Sequence, residues 1–326
     1  MERDSNHWTF LCPIRTFLLD SDVRLITFEQ GSAHNTGNDL LILKTFFENE
    51  FLAHKPDTSD RTVKLYSYSI RKFGSWLGRD PTIDDLTNAS VGSYLRHLKS
   101  LDMAVNSVDK ERRQLLSIWR FAHTLGMLQK GPVIGPMKIP ASVPKSLTVA
   151  ELKRLNSAFD LLRGKTAGIQ NGPFLRALMG VQYATAARVG AVLQLRFDDI
   201  SGDVITFRAE TRKGGRKPIV KAVTEEVLKN IHAISRPKRE LIFPLKATNK
   251  TKIQTLYSRL FKAAKVARPK GKSSHLMRST HATLLELAGG DATKSLGHAN
   301  RETTIKSYLD PRHDADRSCD MLPEIE

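Results

Sequence analysis

Four prolines spaced four residues apart, Pro132, Pro136, Pro140 and Pro144 in "QKGPVIGPMKIPASVPKS", constrain this chain more than any other feature. A proline lacks the amide proton that a helix needs, and its ring clashes with the preceding turn. No helix crosses such a stretch, which favours an extended, semi-stiff connector. The 326 residues therefore read as two domains, one on each side. The expected boundaries are an extension over 1–38, a first domain over 39–130, a linker over 131–146, a second domain over 147–312 and a tail over 313–326.

Before the linker, apolar residues recur at helical spacing. Leu40, Leu41, Leu43, Phe46, Phe47 and Phe51 form one face, which "KPDTSD" ends. Tyr66, Ile70, Phe73 and Leu77 form a second, and Val91, Tyr94, Leu95 and Leu98 a third. Leu115, Ile118, Trp119, Ala122 and Leu125 form a fourth. Four amphipathic helices with short loops predict a small bundle with its aromatics in the core. The opposite faces are basic: Lys64, Arg71 and Lys72, then Arg96 and Lys99, then Lys110, Arg112 and Arg113. Such faces are either solvated or in contact with phosphate. Residues 1–38 give only a strand-like "VRLITF" and a loop-like "GSAHNTGND".

After the linker, Thr148 and Glu151 form a capping box that opens a helix. Residues 173–194 read as one long helix, or two with a break, with Arg188 among small residues. Val204–Glu210 and Pro218–Val223 read as strands flanking "TRKGGRK". Gly214 and Gly215 supply the turn, so Lys213 belongs at a hairpin tip. Helices follow through Val227–Ile234 and Thr255–Val266, then one bearing His275 and Arg278 that Gly289 and Gly290 end. A short helix over Asp291–Leu296 leads to Gly297 and His298, and a last helix from Asn300 carries Tyr308. The expected fold is mainly α with a small antiparallel β element.

The net charge of +17 favours a polyanionic partner. Residues 1–38 hold three basic and five acidic residues, a net −2, so the rest of the chain carries +19. The basic face thus belongs to the two domains. Cys12 and Cys319, near opposite ends, have no metal-ligand spacing. With no apolar run of membrane-spanning length and no signal-peptide pattern, the expectation is a cytoplasmic protein. His275 and His281 are six apart, which fits no zinc spacing we would look for. There is no P-loop and no G-x-S-x-G elbow.

Taken in order, Arg188, Lys213, His275-x-x-Arg278, Gly297-His298 and Tyr308 resemble the tyrosine recombinase (phage integrase) family. The resemblance spans most of the chain, from Asp39 to Asp310. It implies an N-terminal helical core-binding bundle laid on duplex DNA and a catalytic domain after it. The chemistry suits the residue set. A phenol is a weak nucleophile near neutral pH because its pKa is about 10. It needs an electrophilic phosphorus and a protonated leaving group. Two arginine forks on the non-bridging oxygens stabilise the pentavalent transition state.

By resemblance, Arg188 and Arg278 are that clamp, and Lys213 protonates the departing 5′ oxygen. His275 accepts a proton or binds phosphate, His298 donates a second hydrogen bond, and Tyr308 becomes a 3′-phosphotyrosyl linkage. That bond conserves the phosphodiester's energy, so religation needs no ATP. No cofactor or metal is expected; no clustered carboxylates of a two-metal nuclease lie near these residues. The implied partners are double-stranded DNA and further copies of the chain, as a tetramer on two sites. The resemblance also implies that the C-terminal segment docks on a neighbouring copy, with Met321 and Leu322 as candidate anchors against the alternative of a frayed end.

Three points stay open in the sequence. Many relatives carry an acid three positions after the first arginine, where this chain has Ala191; Asp198 and Asp199 are the candidates to compensate. Lys217, Lys221 and Arg212 lie near Lys213, which is chosen because it immediately precedes the turn glycines. Arg268, Lys270 and Lys272 are read as phosphate contacts beside the site. The alternative functions are a non-catalytic DNA-binding protein on the same fold and a type IB topoisomerase-like enzyme acting as a monomer.

Overall fold

The computed structural model describes residues 41–140, 142–211, 217–236, 239–245, 250–268 and 273–313. Lys213, Lys270, Lys272, both cysteines, Met321 and Leu322 lie outside the described residues. The chain divides into two compact units, Met1–Ile139 and Pro140–Glu326. The expectation of a mainly helical fold with a little antiparallel sheet is met.

In the first unit, α1 (Leu43–Phe46) runs into a π-helical turn, Phe47–Phe51. Then come α2 (Asp60–Leu77), α3 (Asn88–Ser100) and α4 (Val105–Thr124). Local chemistry sets their ends. The Ser59 hydroxyl caps α2 through the Thr62 amide, and the Thr87 hydroxyl caps α3 through Ser90. Gly78, at φ +75°, lets the chain leave α2 in the left-handed conformation that glycine adopts freely. The apolar stripes meet in a core of Phe46, Phe47, Phe51, Phe73, Tyr94 and Trp119. Trp119 hides its ring and donates Nε1–H to the Lys130 carbonyl at 2.8 Å, which ties the start of the proline stretch to the bundle. Leu125, expected in the core, lies one residue past α4 and is 42% exposed.

The second unit opens with α5 (Val149–Ala158), capped as expected by Thr148 and Glu151. A two-stranded hairpin, β1 (Lys165–Thr166) and β2 (Ile169–Gln170), escaped the sequence reading. The 173–194 stretch is two helices: α6 (Asn171–Thr185) and α7 (Val189–Val192). The break falls at Ala186, a buried non-glycine residue at φ +54°. The expected pair of strands forms as β4 (Val204–Phe207) and β5 (Ile219–Ala222), and a short β3 (Ile200–Ser201) adds a third, antiparallel in the order β3, β4, β5.

Ile205 pairs with Lys221, and Phe207 with Ile219. Then follow α8 (Glu225–His232), α9 (Lys250–Ala263), α10 (Ser273–Leu287), α11 (Ala292–Leu296) and α12 (Arg301–Tyr308). The main core packs α6, α8, α9 and the inner face of β4 around Phe174, Tyr257 and Phe243. A smaller cluster of Ala186, Ala282, Ala292 and Leu296, with Tyr308 and Leu309 against it, joins α10, α11 and α12. No described helix is long and apolar enough to cross a membrane.

Candidate active site

The site forms where that small cluster meets Arg278. On α10, Arg278 is 4% exposed, a burial that arginine tolerates only when hydrogen-bonded. One Nη donates to the Ala186 carbonyl at 2.5 Å and the other to the Leu296 carbonyl at 2.8 Å. The helix break at Ala186 and the end of α11 are thus pinned by one guanidinium.

The Leu296-bound Nη also lies 3.1 Å from His298 Nε2. Arginine only donates, so Nε2 accepts and the imidazole proton sits on Nδ1, which faces the Thr304 hydroxyl at 2.9 Å. Burial, then the charges of Arg278 and Arg188, push His298 below the ordinary histidine pKa. The ring is held neutral. Tyr308 closes the group: its ring lies 5.0 Å from that of His298 and 5.1 Å from the Arg278 guanidinium carbon. The Tyr308 carbonyl accepts from Thr283 of α10 at 3.2 Å.

Arg278, His298 and Tyr308 are thus in mutual contact. Arg188, exposed at the start of α7, is close enough to His298 to depress its pKa. His275 is exposed one turn before Arg278 on the same helix. Lys213 lies outside the described residues. Ala191 is packed in the core, and Asp199 is engaged elsewhere: it accepts from the Arg196 amide at 2.8 Å and pairs with Arg208 at 3.4 Å. Asp199, one of the two acids that the sequence offered as a substitute, is tied to Arg196 and Arg208. Arg268 lines a depression with Lys145, Arg312 and His313.

The sequence reading passed over the residues that brace this group. Asp310, 2% exposed, sits two residues past Tyr308. It accepts from the Ser146 amide at 2.7 Å, the Ser146 hydroxyl at 3.1 Å and Arg312 Nε at 2.9 Å. Its own amide donates to Thr283 at 3.1 Å, and the Leu147 amide donates to Thr280 at 2.9 Å. The end of the proline stretch, α10 and the exit from α12 are stitched together. Burial alone raises the Asp310 pKa, but the bonds from Arg312 and Ser146 outweigh it and hold the carboxyl far below the usual range. Nothing in "YLDP" flags this, because the partner lies 164 residues away.

A stability profile follows. Histidines with depressed pKa resist protonation in the fold, so the contribution of His281 and His298 is full above 6.5 and erodes as pH falls below it. Asp310 contributes above 3.8 and loses its contribution as pH falls from there through its lowered folded value. Asp310→Asn is expected to cost about 2–4 kcal/mol at neutral pH, since it leaves buried donors facing an amide. Urea unfolding at a series of pH values checks this. The wild-type advantage must shrink below pH 3.8; a gap independent of pH contradicts the assignment.

In the first unit, Tyr68 is 42% exposed, with Arg71, Lys72 and Lys110 at 5.6, 5.0 and 5.9 Å from its ring. Lys64, Arg96, Lys99 and Arg113 are exposed as well. Arg112 is a correction to the basic face: it is buried, bonded to Asp109 at 2.8 Å and to the Ile134 carbonyl at 3.3 Å. It holds the chain after α4 and does not face solvent.

Comparison with known proteins gives the family and the fold. The model of the phage integrase family matches residues 145–314, just over half of the chain. Tyrosine recombinase XerA of Thermococcus kodakarensis is 26% identical over 257 residues, covering 76% of this chain and 83% of the relative. A tyrosine recombinase of Thermosipho africanus is 26% identical over 273 residues, covering 78% and 91%. In fold, the chain is similar to a lambda integrase dimer bound to a COC′ core site, with TM-score 0.65, 20% identity and coverage of 88% and 81%. It is also similar to the Tn1549 transposon integrase in complex with a circular intermediate DNA, with TM-score 0.62, 15% identity and coverage of 85% and 99%. The chain belongs to the phage integrase family and is a tyrosine recombinase, an enzyme that breaks and rejoins DNA strands at specific sites.

Proposed function

We propose that Tyr308 attacks the scissile phosphorus while Arg188 and Arg278 clamp its non-bridging oxygens. The bond from the tyrosine oxygen to phosphorus forms as the bond to the 5′ oxygen breaks. The phenol proton passes to His275, Lys213 protonates the leaving 5′ oxygen, and His298 donates to the phosphate only once Arg278 turns from Nε2 to the phosphate and that nitrogen takes up a proton. Religation reverses these transfers, with a new 5′ hydroxyl as nucleophile. The observation that carries the reading is the contact of Tyr308 with both His298 and Arg278. A neutral His298 beside a buried guanidinium suits a site that gathers positive charge only when a phosphate enters.

Residues 39–130 are assigned to DNA binding, 147–312 to catalysis and 131–146 to the link between them. The Tyr68 cluster and its exposed neighbours meet the phosphates. The lambda and Tn1549 integrases were solved with DNA, which supports duplex DNA as the partner. The chain pairs on inverted half-sites, joins two duplexes as a tetramer and works in the cytoplasm, in integration and excision or in resolution.

Lys213→Ala is expected to slow cleavage of ordinary DNA by about 10²–10⁴-fold. On DNA with a bridging 5′ thiolate, the leaving group has a thiol pKa of about 8.5 and needs no acid, so the defect should largely vanish. Equal slowing of both substrates rejects Lys213 as the acid.

A further inference from the structure

Lys221 sits on the unexpected face of its strand. Along β5 the outward residue is apolar, Val220 at 60% exposure, while Ile219 and Lys221 point inward. Lys221 lies across from Ile205, which is fully buried. A lysine placed there loses solvation, and its pKa is lowered by burial and then by Arg278. Among the described residues its partners are not carboxylates. Nζ donates to the Ser295 carbonyl at 2.8 Å and to the Ser295 hydroxyl at 3.3 Å.

Donor logic orders the rest. The Tyr183 carbonyl only accepts, so His281 Nδ1, at 2.6 Å, carries the proton. His281 Nε2 then accepts from the Ser295 hydroxyl at 2.8 Å. The chain of donors runs from Lys221 through Ser295 and His281 to Tyr183.

The position of Ser295 gives this arrangement its consequence. Ser295 and Leu296 end α11, where carbonyls have no partner within the helix. Lys221 holds the first of these carbonyls and Arg278 the second. Gly297 follows at φ +65°, and a Cβ there would stand 3.4 Å from Ile219 Cδ1. His298 is next. β5 therefore grips the main chain immediately before the histidine that faces Tyr308.

We propose that Lys221 is a positioning residue for strand cleavage, fixing the end of α11 so that His298 keeps its place between Arg278 and Tyr308. The inference rests on the site assigned above and adds a residue to it. Lys221 touches no reacting atom in this role. It is a different task from that of the leaving-group acid, for which the sequence made it a rival to Lys213.

The test uses the full chain as Lys221→Met, Lys221→Arg and Ser295→Ala. Single-turnover cleavage is measured on nicked duplexes from the DNA flanking the gene, with ordinary and 5′-thiolate linkages. Lys221→Met is expected to cleave about 10–100-fold more slowly, the cost of a small misplacement. DNA affinity should stay within about twofold, and Tm within about 2 °C, because the lost bonds are offset by removal of an ill-solvated charge. The thiolate should not rescue it. Lys221→Arg should recover most of the rate, and Ser295→Ala, which keeps the carbonyl, should lose little.

The ring resonances of His298, read by NMR with labelled histidine, should move in Lys221→Met and return in Lys221→Arg. Full-speed cleavage with unmoved His298 signals overturns the proposal. Thiolate rescue overturns it too, by making Lys221 the acid, as does a fall in Tm large enough to explain the lost rate. If the wild type cleaves none of this DNA, the site assignment is what fails, and the His298 resonances still decide whether Lys221 holds α11.

Discussion

Tyr308→Phe is expected to bind DNA like the wild type and to form no covalent adduct. The ring is held by its faces, against His298 at 5.0 Å and Arg278 at 5.1 Å, and its main chain is held by Thr283. Phenylalanine keeps all of these contacts, so the constellation stays assembled and stability should change by less than about 1 kcal/mol. Only the nucleophilic oxygen is gone. Without it, cleavage should fall by at least about 10⁵-fold. Gel-shift affinity and a denaturant-resistant adduct, measured side by side, check both halves. An adduct that persists in Tyr308→Phe would place the nucleophile elsewhere.

Arg278→Lys should be nearly as damaging, and in two ways. An ammonium is a point charge, and it cannot reach the Ala186 carbonyl, the Leu296 carbonyl and His298 together as the fork does. Buried carbonyls are left unsatisfied at a cost of about 2–4 kcal/mol. The phosphate loses its two-pronged clamp, and cleavage should drop by about 10²–10³-fold or more. Arg188→Lys offers the contrast. Arg188 is exposed at the start of α7, so that change should impair cleavage with little loss of stability. Urea unfolding and single-turnover cleavage separate the two arginines. Equal stability losses would contradict the structural role given to Arg278.

The sequence showed what is local and what is periodic. Helical spacing located the bundle through residues such as Ile70, Phe73 and Trp119, and Thr148 with Glu151 marked the start of α5. The order of Arg188, Arg278, His298 and Tyr308 pointed to the chemistry. What stayed hidden depends on long-range pairing. Arg112 reads as part of a basic face, yet Asp109 and the Ile134 carbonyl draw it inward. β3 is two residues long and carries no alternation to read.

Asp310 meets Ser146 across just over half of the chain, and Lys221 meets Ser295 across 74 residues. A lysine inside a strand pattern reads as outward-facing. Only the register with Ile205 shows it facing in. Ala186, at positive φ, looks like any residue of a helix until the break beside Arg188 is seen.

The most direct test of the account is to map the bond itself. The full-length protein is incubated with nicked duplex DNA from the flanks of its gene, without added metal. Any adduct that survives denaturant is digested and identified by mass spectrometry. The expected product is a peptide carrying a 3′-phosphoryl nucleotide on Tyr308, with a free 5′ hydroxyl on the released strand. A nucleotide on another residue, or a 5′-phosphoryl linkage, would contradict it.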